Sequence, residues 1–228
     1  MSIESESGIR AKKEMTSTAK YLNMAILIII LGVSAYIIGR IVNDIGVVLF
    51  TYHPTFMVLG YLILMSNAIL IMADSSILTT NMSHQNRITA HWIIQLCALI
   101  LFVIAQICIF THKNNLGKSH FQTTHSIFGL ITVSLTMLSA IGGVFTKYAM
   151  QLRNTVKPVV LKCFHSFAGI LVYILAVITM ILGFSQMWNE DKDAYIKPIL
   201  IVLIVIIAFF ILIKSFVLFI SRFKDIIA

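Results

Sequence analysis

Residues 123–145 have the sequence TTHSIFGLITVSLTMLSAIGGVF, and this stretch decides the fold class. Its 23 residues include no aspartate, glutamate, lysine or arginine, and its one ionisable side chain, His125, lies close to the start. A membrane-spanning helix needs about 20 apolar residues, so the stretch predicts a transmembrane helix that begins with a histidine. Five other segments are also long and mainly apolar. The six predicted helices are 21–41, 48–73, 88–110, 123–145, 159–186 and 198–220.

The composition of the whole chain agrees with this class. Hydrophobic residues make up 59% of the 228 residues and charged residues 11%, whereas soluble domains have about 45–50% and about 25%. The net charge of +8 does not indicate a nucleic-acid partner, because the basic residues lie in short loops between apolar segments, as in membrane proteins. We therefore expect an all-α membrane protein embedded in a lipid bilayer and no binding to nucleic acid.

The distribution of basic residues predicts the orientation of the chain. Eleven of the 17 lysine and arginine residues lie at one end of the predicted helix bundle and five at the other. The positive-inside rule places the first end, with both termini, in the cytosol. We therefore expect a cytosolic N-terminal arm of residues 1–20, a six-helix transmembrane domain over residues 21–221 and a cytosolic tail of residues 222–228.

Four of the six predicted helices carry a histidine within their first turns. These residues are spaced 38, 34 and 40 positions apart along the chain. Ionisable residues inside a bilayer are rare and usually functional. A single intramembrane histidine often serves packing alone, but four at matched depths indicate axial ligands for two haems. They are His53, His91, His125 and His165.

The direction of the helices predicts which histidines pair. Consecutive spanning helices run in opposite directions, so His53 and His125 lie near the non-cytosolic face. By the same argument His91 and His165 lie near the cytosolic face. Each face then has two imidazoles on different helices, as a bis-histidine iron requires, with the two irons about 20 Å apart along the membrane normal. The pattern indicates a transmembrane electron carrier.

The residues next to the histidines lead to two further expectations. The His53-Pro54 dipeptide indicates the beginning of a helix, because proline is tolerated in the first helical turn. Gly129 and Gly169 follow a histidine by four positions and Gly60 follows one by seven, so each shares a helix face with its histidine. We expect these glycines to leave room for a porphyrin; helix packing is the competing interpretation.

The histidines belong to longer motifs that run in order through nearly the whole chain. These motifs resemble the cytochrome b561 family, and the likeness is specific because four histidines and one loop agree together. The motifs are LFTYHP at 49–54, AHWIIQL at 90–96, HKNNLGKSH at 112–120, which leads on to His125, and LKCFHSFAG at 161–169.

The resemblance implies both a fold and an activity. In that family six helices enclose a core of helices two to five, which holds two b-type haems on four axial histidines. It implies an ascorbate-dependent transmembrane oxidoreductase with ascorbate as the cytosolic electron donor. The acceptor on the other side is monodehydroascorbate or a ferric complex. We also expect a multi-pass endomembrane location, in the endoplasmic reticulum or a vesicle membrane, and the resemblance is compatible with a homodimer.

Basic and imidazole side chains near the two ends of the predicted core are candidates for substrate binding. On the cytosolic side basic residues would attract the ascorbate anion, and on the other side imidazoles and a lysine would bind a ferric chelate. The competing interpretation is that they only satisfy the positive-inside rule or form a solvated loop. The candidates are Arg87, Arg153 and Lys162 on the cytosolic side, and His112, Lys118 and His120 on the other.

Two other functional classes remain open from the sequence. A non-haem transporter or membrane scaffold would keep the six helices and use the histidines for packing, and it predicts a colourless protein. A quinol-linked di-haem cytochrome would keep the haems but take electrons from a lipid-soluble donor. It predicts reduction by quinol and no response to ascorbate.

Overall fold

The computed structural model describes residues 17–72, 82–187 and 195–227. Within these ranges all regular structure is helical, and six helices are long and apolar enough to cross a membrane. The prediction of six long apolar helices is thereby confirmed, while the first 16 residues of the predicted arm lie outside the described ranges. The helices are α1 (Ser17–Ile45), α2 (Leu49–Met72, with Val58–Met65 π-helical), α3 (His84–Asn115), α4 (Thr124–Lys147), α5 (Pro158–Met187) and α6 (Ile196–Ile227).

The helices form a bundle in which sequence neighbours lie antiparallel. α2 packs mainly against α3, and α5 lies between α4 and α6; α1 packs beside α2 and α6. Because six helices alternate in direction, the start of α1 and the end of α6 lie at the same end of the bundle. We call this end the terminal face and the other end the opposite face.

Isoleucines hold α1 and α6 together in the apolar interior. Ile30 and Ile37 of α1 and Ile204 and Ile207 of α6 are fully buried in one cluster with the middle of α2 and α5. Helices in lipid associate through van der Waals packing and interhelical hydrogen bonds rather than through the hydrophobic effect. Close fitting of these branched side chains therefore fixes the two outer helices against the histidine-bearing ones.

The π-helical segment of α2 contains a close approach to α3. A Cβ atom at Gly60 would overlap the ring of Phe102, and that ring stacks on Tyr61 with centroids 4.0 Å apart and planes at 22°. Glycine thus lets an aromatic ring rest on the α2 backbone. The expectation that Gly60 leaves room for a porphyrin is wrong, because Phe102 fills that space.

The start of α2 agrees with the predicted segment 48–73 but not with a first helical turn at His53-Pro54. The helix begins at Leu49, so that Pro54 is its sixth residue rather than part of the first turn. The Thr51 hydroxyl donates to the Gly46 carbonyl at 2.5 Å, and Gly46 has φ +79°, a conformation that glycine adopts without strain. This turn starts α2 early, and His53 therefore lies one turn inside the helix.

The start of α4 is set by reciprocal side-chain capping. The Thr123 hydroxyl accepts from the Ser126 amide at 3.2 Å, and the Ser126 hydroxyl accepts from the Thr123 amide at 3.0 Å. These contacts satisfy two amides that have no partner inside the helix. His125 is consequently the second residue of α4, at the edge of the opposite face.

α6 extends further than the predicted spanning segment. It continues to Ile227, so residues 222–227, which we assigned to a tail, are helical. The extra turns carry Arg222 alongside the beginning of α5, where its guanidinium contacts the Lys162 carbonyl and the Ser166 hydroxyl.

Candidate functional site: two histidine pairs inside the helix bundle

One pair of histidine rings lies near the opposite face. The rings of His53 on α2 and His125 on α4 have centroids 6.3 Å apart and planes at 83°. His53 Nδ1 lies 3.2 Å from the Ala105 carbonyl of α3, and His125 Nδ1 lies 2.9 Å from the Thr179 carbonyl of α5. Each ring is therefore oriented by a helix other than the two that carry the pair.

The second pair lies near the terminal face and has almost the same geometry. The rings of His91 on α3 and His165 on α5 have centroids 6.3 Å apart and planes at 88°. His91 Nδ1 lies 2.9 Å from the Ala68 carbonyl of α2. His165 Nδ1 is buried and has no hydrogen bond to a described residue by distance and angle, and the Ser139 backbone of α4 lies beside it.

These contacts determine which ring nitrogen is available for a metal. A carbonyl oxygen only accepts hydrogen bonds, so in His53, His91 and His125 the proton lies on Nδ1 and the lone pair on Nε2. A backbone carbonyl bound to one nitrogen is the usual support of a histidine that ligates a metal through the other. Both imidazoles at the opposite face have this arrangement, and at the terminal face His91 has it. Each level therefore has histidine nitrogens that could ligate an iron.

The spacing of the rings fits a metal ion between them. Two metal–imidazole bonds of about 2 Å and two ring radii of about 1.1 Å together span about 6.3 Å. Both pairs have this centroid separation. Direct packing of two imidazoles does not require equal spacing at both levels, so the geometry fits a b-type haem at each level.

Two glycines that the sequence analysis did not select make room for the histidine rings. A Cβ at Gly183 of α5 would lie 2.9 Å from Cε1 of His125, and a Cβ at Gly143 of α4 would lie 3.1 Å from Cε1 of His165. By contrast, no other atom of the described residues lies within 4 Å of a Cβ at Gly169. The glycines that touch the rings are thus on the facing helix rather than on the helix of the histidine.

α4 and α5 repeat the same set of residues after 40 positions. Each helix has a histidine and, four residues later, a glycine. Further along, each helix has a hydroxyl residue whose backbone lies beside the histidine of the other helix, and a second glycine next to that same histidine. This internal repeat was visible in the sequence and would have identified Gly143 and Gly183. The matched residues are His125 and His165, Gly129 and Gly169, Ser139 and Thr179, and Gly143 and Gly183.

The repeat also gives the distance between the two levels. Ser139, whose backbone lies beside His165, lies 14 residues after His125 on α4. At about 1.5 Å per residue this corresponds to about 21 Å along the helix. Thr132 lies seven residues from both His125 and Ser139 and therefore marks the midpoint between the levels.

Buried hydroxyl groups join three helices around this midpoint. Unpaired polar groups at this depth would be costly in a bilayer, and these side chains satisfy one another across helix boundaries. The cluster aligns α2, α4 and α5 and so sets the two histidine levels relative to each other. The pairs are Tyr61 with Thr136 at 3.0 Å, Thr132 with Thr179 at 3.0 Å and Ser66 with Tyr173 at 2.7 Å.

An apolar cavity of about 300 Å³ lies between α4 and α5 near the terminal face. The ring of His165 forms part of its wall, together with Gly142, Phe145, Phe164 and Ala168. A flat apolar group can therefore approach this histidine without displacing charged side chains.

The substrate candidates near the opposite face are held in the loop between α3 and α4. The His120 ring stacks on Phe110 with centroids 4.6 Å apart, and its Nε2 lies 2.8 Å from Asn114 Oδ1. His112 lies against Phe50, with centroids 5.4 Å apart, and Lys118 is exposed. His112 and His120 thus have aromatic partners, and His120 contributes to the shape of the loop.

The substrate candidates near the terminal face are spread around the His91/His165 pair. Arg87 and Lys162 are half-buried at the starts of α3 and α5, and Arg153 is exposed in the connection between α4 and α5. The structure adds Arg222, which we had treated only as part of the tail. Its side chain is half-buried, and its guanidinium contacts the hydroxyl of Ser166, the residue directly after His165.

Comparisons with known proteins place the chain in a family. The model of the family described as eukaryotic cytochrome b561 matches residues 52–190. Transmembrane reductase CYB561D2 of Bos taurus and of Homo sapiens are each 31% identical over 190 residues, which cover 82% of this chain and 81% of theirs. The probable ascorbate-specific transmembrane electron transporter 1 of Oryza sativa subsp. japonica is 31% identical over 138 residues, 60% of this chain and 57% of its own.

The family match covers more than half of the chain and includes all four histidines of the two pairs. The two reductases extend the similarity to most of the sequence. Haem binding is general in this family, and the ring-centroid separation of both histidine pairs agrees with it. The chain therefore belongs to the cytochrome b561 family and is a transmembrane oxidoreductase.

Proposed function

We propose that the protein transfers electrons across a membrane through two b-type haems, one on His53 and His125 and the other on His91 and His165. The electron donor is cytosolic ascorbate at the terminal face. The acceptor is monodehydroascorbate or a ferric chelate at the opposite face. Helices α2 to α5 form the core around the haems, and both chain termini face the cytosol.

The observation that carries this proposal is the matched geometry of the two ring pairs. Both have centroids 6.3 Å apart, and three of the four histidines bind a backbone carbonyl through Nδ1. Two separate levels about 21 Å apart divide the thickness of a bilayer of about 30 Å into short electron-transfer steps. A structural role for four histidines explains neither the spacing nor the free Nε2 lone pairs.

The chain's own residues act by holding and shielding the redox groups. When bound, a b-type haem with two imidazole ligands supplies an iron that accepts and releases one electron without an open coordination position. The Ala105, Thr179 and Ala68 carbonyls keep the Nδ1 protons of their histidines in place and point Nε2 inward. The hydrogen bond between the Tyr61 and Thr136 hydroxyls links α2 to α4 between the two levels.

Basic residues support ascorbate as the donor at the terminal face. Ascorbate is an anion near neutral pH, and Arg87 and Lys162 lie four and three residues before the histidines of the terminal-face pair. Relatives of this chain include proteins named ascorbate-specific transmembrane electron transporters from Oryza sativa and Zea mays. The excess of basic residues at the same end of the bundle supports a cytosolic terminal face.

An anaerobic titration of the purified protein with ascorbate, followed by visible absorption, tests this proposal. We expect two haems per chain, reduced in two phases. A parallel titration with a soluble quinol is the control for a quinol-linked cytochrome. Haems that respond to the quinol and remain oxidised in ascorbate would transfer the donor role to quinol. A purified protein without a haem spectrum would exclude the proposed function and support a transporter or scaffold.

The crossed orientation of the ligand rings leads to a spectroscopic prediction. Perpendicular imidazole planes leave the two π-type orbitals of a low-spin ferric iron nearly equal in energy. Axial ligation is one of the means by which a protein tunes a haem. With planes at 83° and 88°, we expect electron paramagnetic resonance of the oxidised protein to give two highly anisotropic low-spin signals. Two ordinary rhombic signals would contradict this ring geometry.

A further inference from the structure

Arg222 occupies a defined position between α6 and α5 at the terminal face. Its Nη1 donates to the Ser166 hydroxyl and to the Lys162 carbonyl, the latter at 3.4 Å. The Ser166 hydroxyl in turn donates to the same carbonyl at 2.8 Å. These contacts hold one edge of the guanidinium against α5, and no described residue hydrogen-bonds its other nitrogens, which remain donors.

Phenylalanine rings are concentrated in the part of α5 and α6 where Arg222 lies. Phe167 on α5 packs against Phe219 on α6, with centroids 5.9 Å apart, and Phe219 packs against Phe223 at 6.0 Å. Among the described residues no carboxylate oxygen lies within 4 Å of the guanidinium. A half-buried arginine in such surroundings retains a strong attraction for anions, because the local dielectric constant is low.

Arg222 also lies beside the terminal-face histidine pair. Its guanidinium is anchored by Ser166, the residue directly after His165, and by the carbonyl of Lys162, three residues before His165. An anion bound to the free edge of the guanidinium would therefore be close to any group ligated by these two histidines. Arginine suits this role because its planar donors match the two oxygens of a carboxylate or an enediolate.

We propose that Arg222, held in place by Ser166, forms a binding site for an oxyanion next to the His91/His165 pair. This inference rests on the proposed function, because it assigns the site to the haem level that receives electrons. The oxyanion has one of two sources with the same chemistry. It is either a carboxylate of the porphyrin bound at this level or the enediolate of ascorbate.

The test compares three purified variants with the wild-type holoprotein. Arg222→Gln removes the charge, Arg222→Lys keeps the charge but removes the planar fork, and Lys224→Gln is the matched control. Lys224 lies two residues away on the same helix end, is exposed and carries the same charge. Two quantities are measured: the haem midpoint potentials in a mediated titration without ascorbate, and the ascorbate concentration for half-reduction.

The two sources give different results for Arg222→Gln. If the partner is a porphyrin carboxylate, the midpoint potential of one haem falls by about 59 mV or more, a tenfold change in the reduction equilibrium. If the partner is ascorbate, the half-reducing ascorbate concentration rises at least tenfold more than the measured change in midpoint potential accounts for. In either case we expect Arg222→Lys to change the affected quantity by less than Arg222→Gln does, and we expect Lys224→Gln to leave both the midpoint potentials and the half-reducing ascorbate concentration unchanged.

The inference is overturned if Arg222→Gln and Lys224→Gln behave alike in both measurements while the wild type binds two haems and responds to ascorbate. That result would leave the proposed function intact. Should Arg222→Gln fail to assemble, Ser166→Ala tests the same site, since it frees the guanidinium without changing any charge. If Ser166→Ala and Arg222→Lys both keep the wild-type midpoint potentials and half-reducing ascorbate concentration, the site is likewise excluded. A wild-type protein without haem would refute the proposed function itself.

Discussion

Replacing His91 by alanine is expected to remove one of two haems and to leave the other unchanged. The ring of His91 faces His165 with centroids 6.3 Å apart, and its Nδ1 binds the Ala68 carbonyl. The variant keeps a single imidazole at the terminal face, so the low-spin signal of that level should disappear. Haem content should fall from two to one per chain, and one of the two ascorbate-reduction phases should be lost.

His53→Ala is the reciprocal variant, and it should remove the opposite-face level alone. Its expected signature is the loss of the other phase, since His53 pairs with His125 and not with the terminal-face histidines. His84→Ala serves as the control, because His84 is exposed at the start of α3. If His91→Ala and His53→Ala abolished the same spectral phase, the assignment of two separate levels would be incorrect.

The second large effect is expected for Gly183→Val. A Cβ at this position would lie 2.9 Å from Cε1 and 3.2 Å from Nδ1 of His125, and valine adds two methyl groups to it. The ring would be displaced from the Thr179 carbonyl, which it contacts at 2.9 Å. We expect loss of the opposite-face haem with the terminal-face haem retained, measured as haem per chain and as the remaining reduction phase.

Two further variants make this result specific. Gly143→Val should have the mirror effect, because a Cβ there would lie 3.1 Å from Cε1 of His165. Gly39→Val places the same side chain on α1, where no other described atom lies within 4 Å of a Cβ, and both haems should be retained. Equal haem loss in all three variants would indicate general misfolding and would argue against direct glycine–histidine contact.

Much of the architecture could be predicted because the bilayer imposes simple rules on a sequence. Backbone groups in lipid must be satisfied within the segment, so each long apolar stretch becomes a helix. Alternating helix direction then decides which histidines share a level. This reasoning predicted that His53 lies with His125 and His91 with His165, and in the structure the rings of each pair are neighbours.

Details of helix starts and helix contacts could not be read from local sequence rules. Pro54 suggested the start of a helix, but the turn at Gly46 begins α2 five residues earlier. Glycines were selected because they share a helix face with a histidine. The residues that actually touch the rings, Gly143 and Gly183, lie on the facing helix, and identifying them required the register between α4 and α5 or recognition of the 40-residue repeat.

Hydropathy, helix parity and motif order were enough to predict the membrane-protein class, the six helices, the family and the two histidine levels. Only the tertiary structure decided how the levels are supported. The carbonyls that orient the imidazoles, the hydroxyl pairs at the midpoint and the approach of Arg222 to Ser166 all join residues more than 20 positions apart. Such contacts depend on the rotation and depth of each helix in the bundle, which side-chain packing sets and hydropathy does not encode.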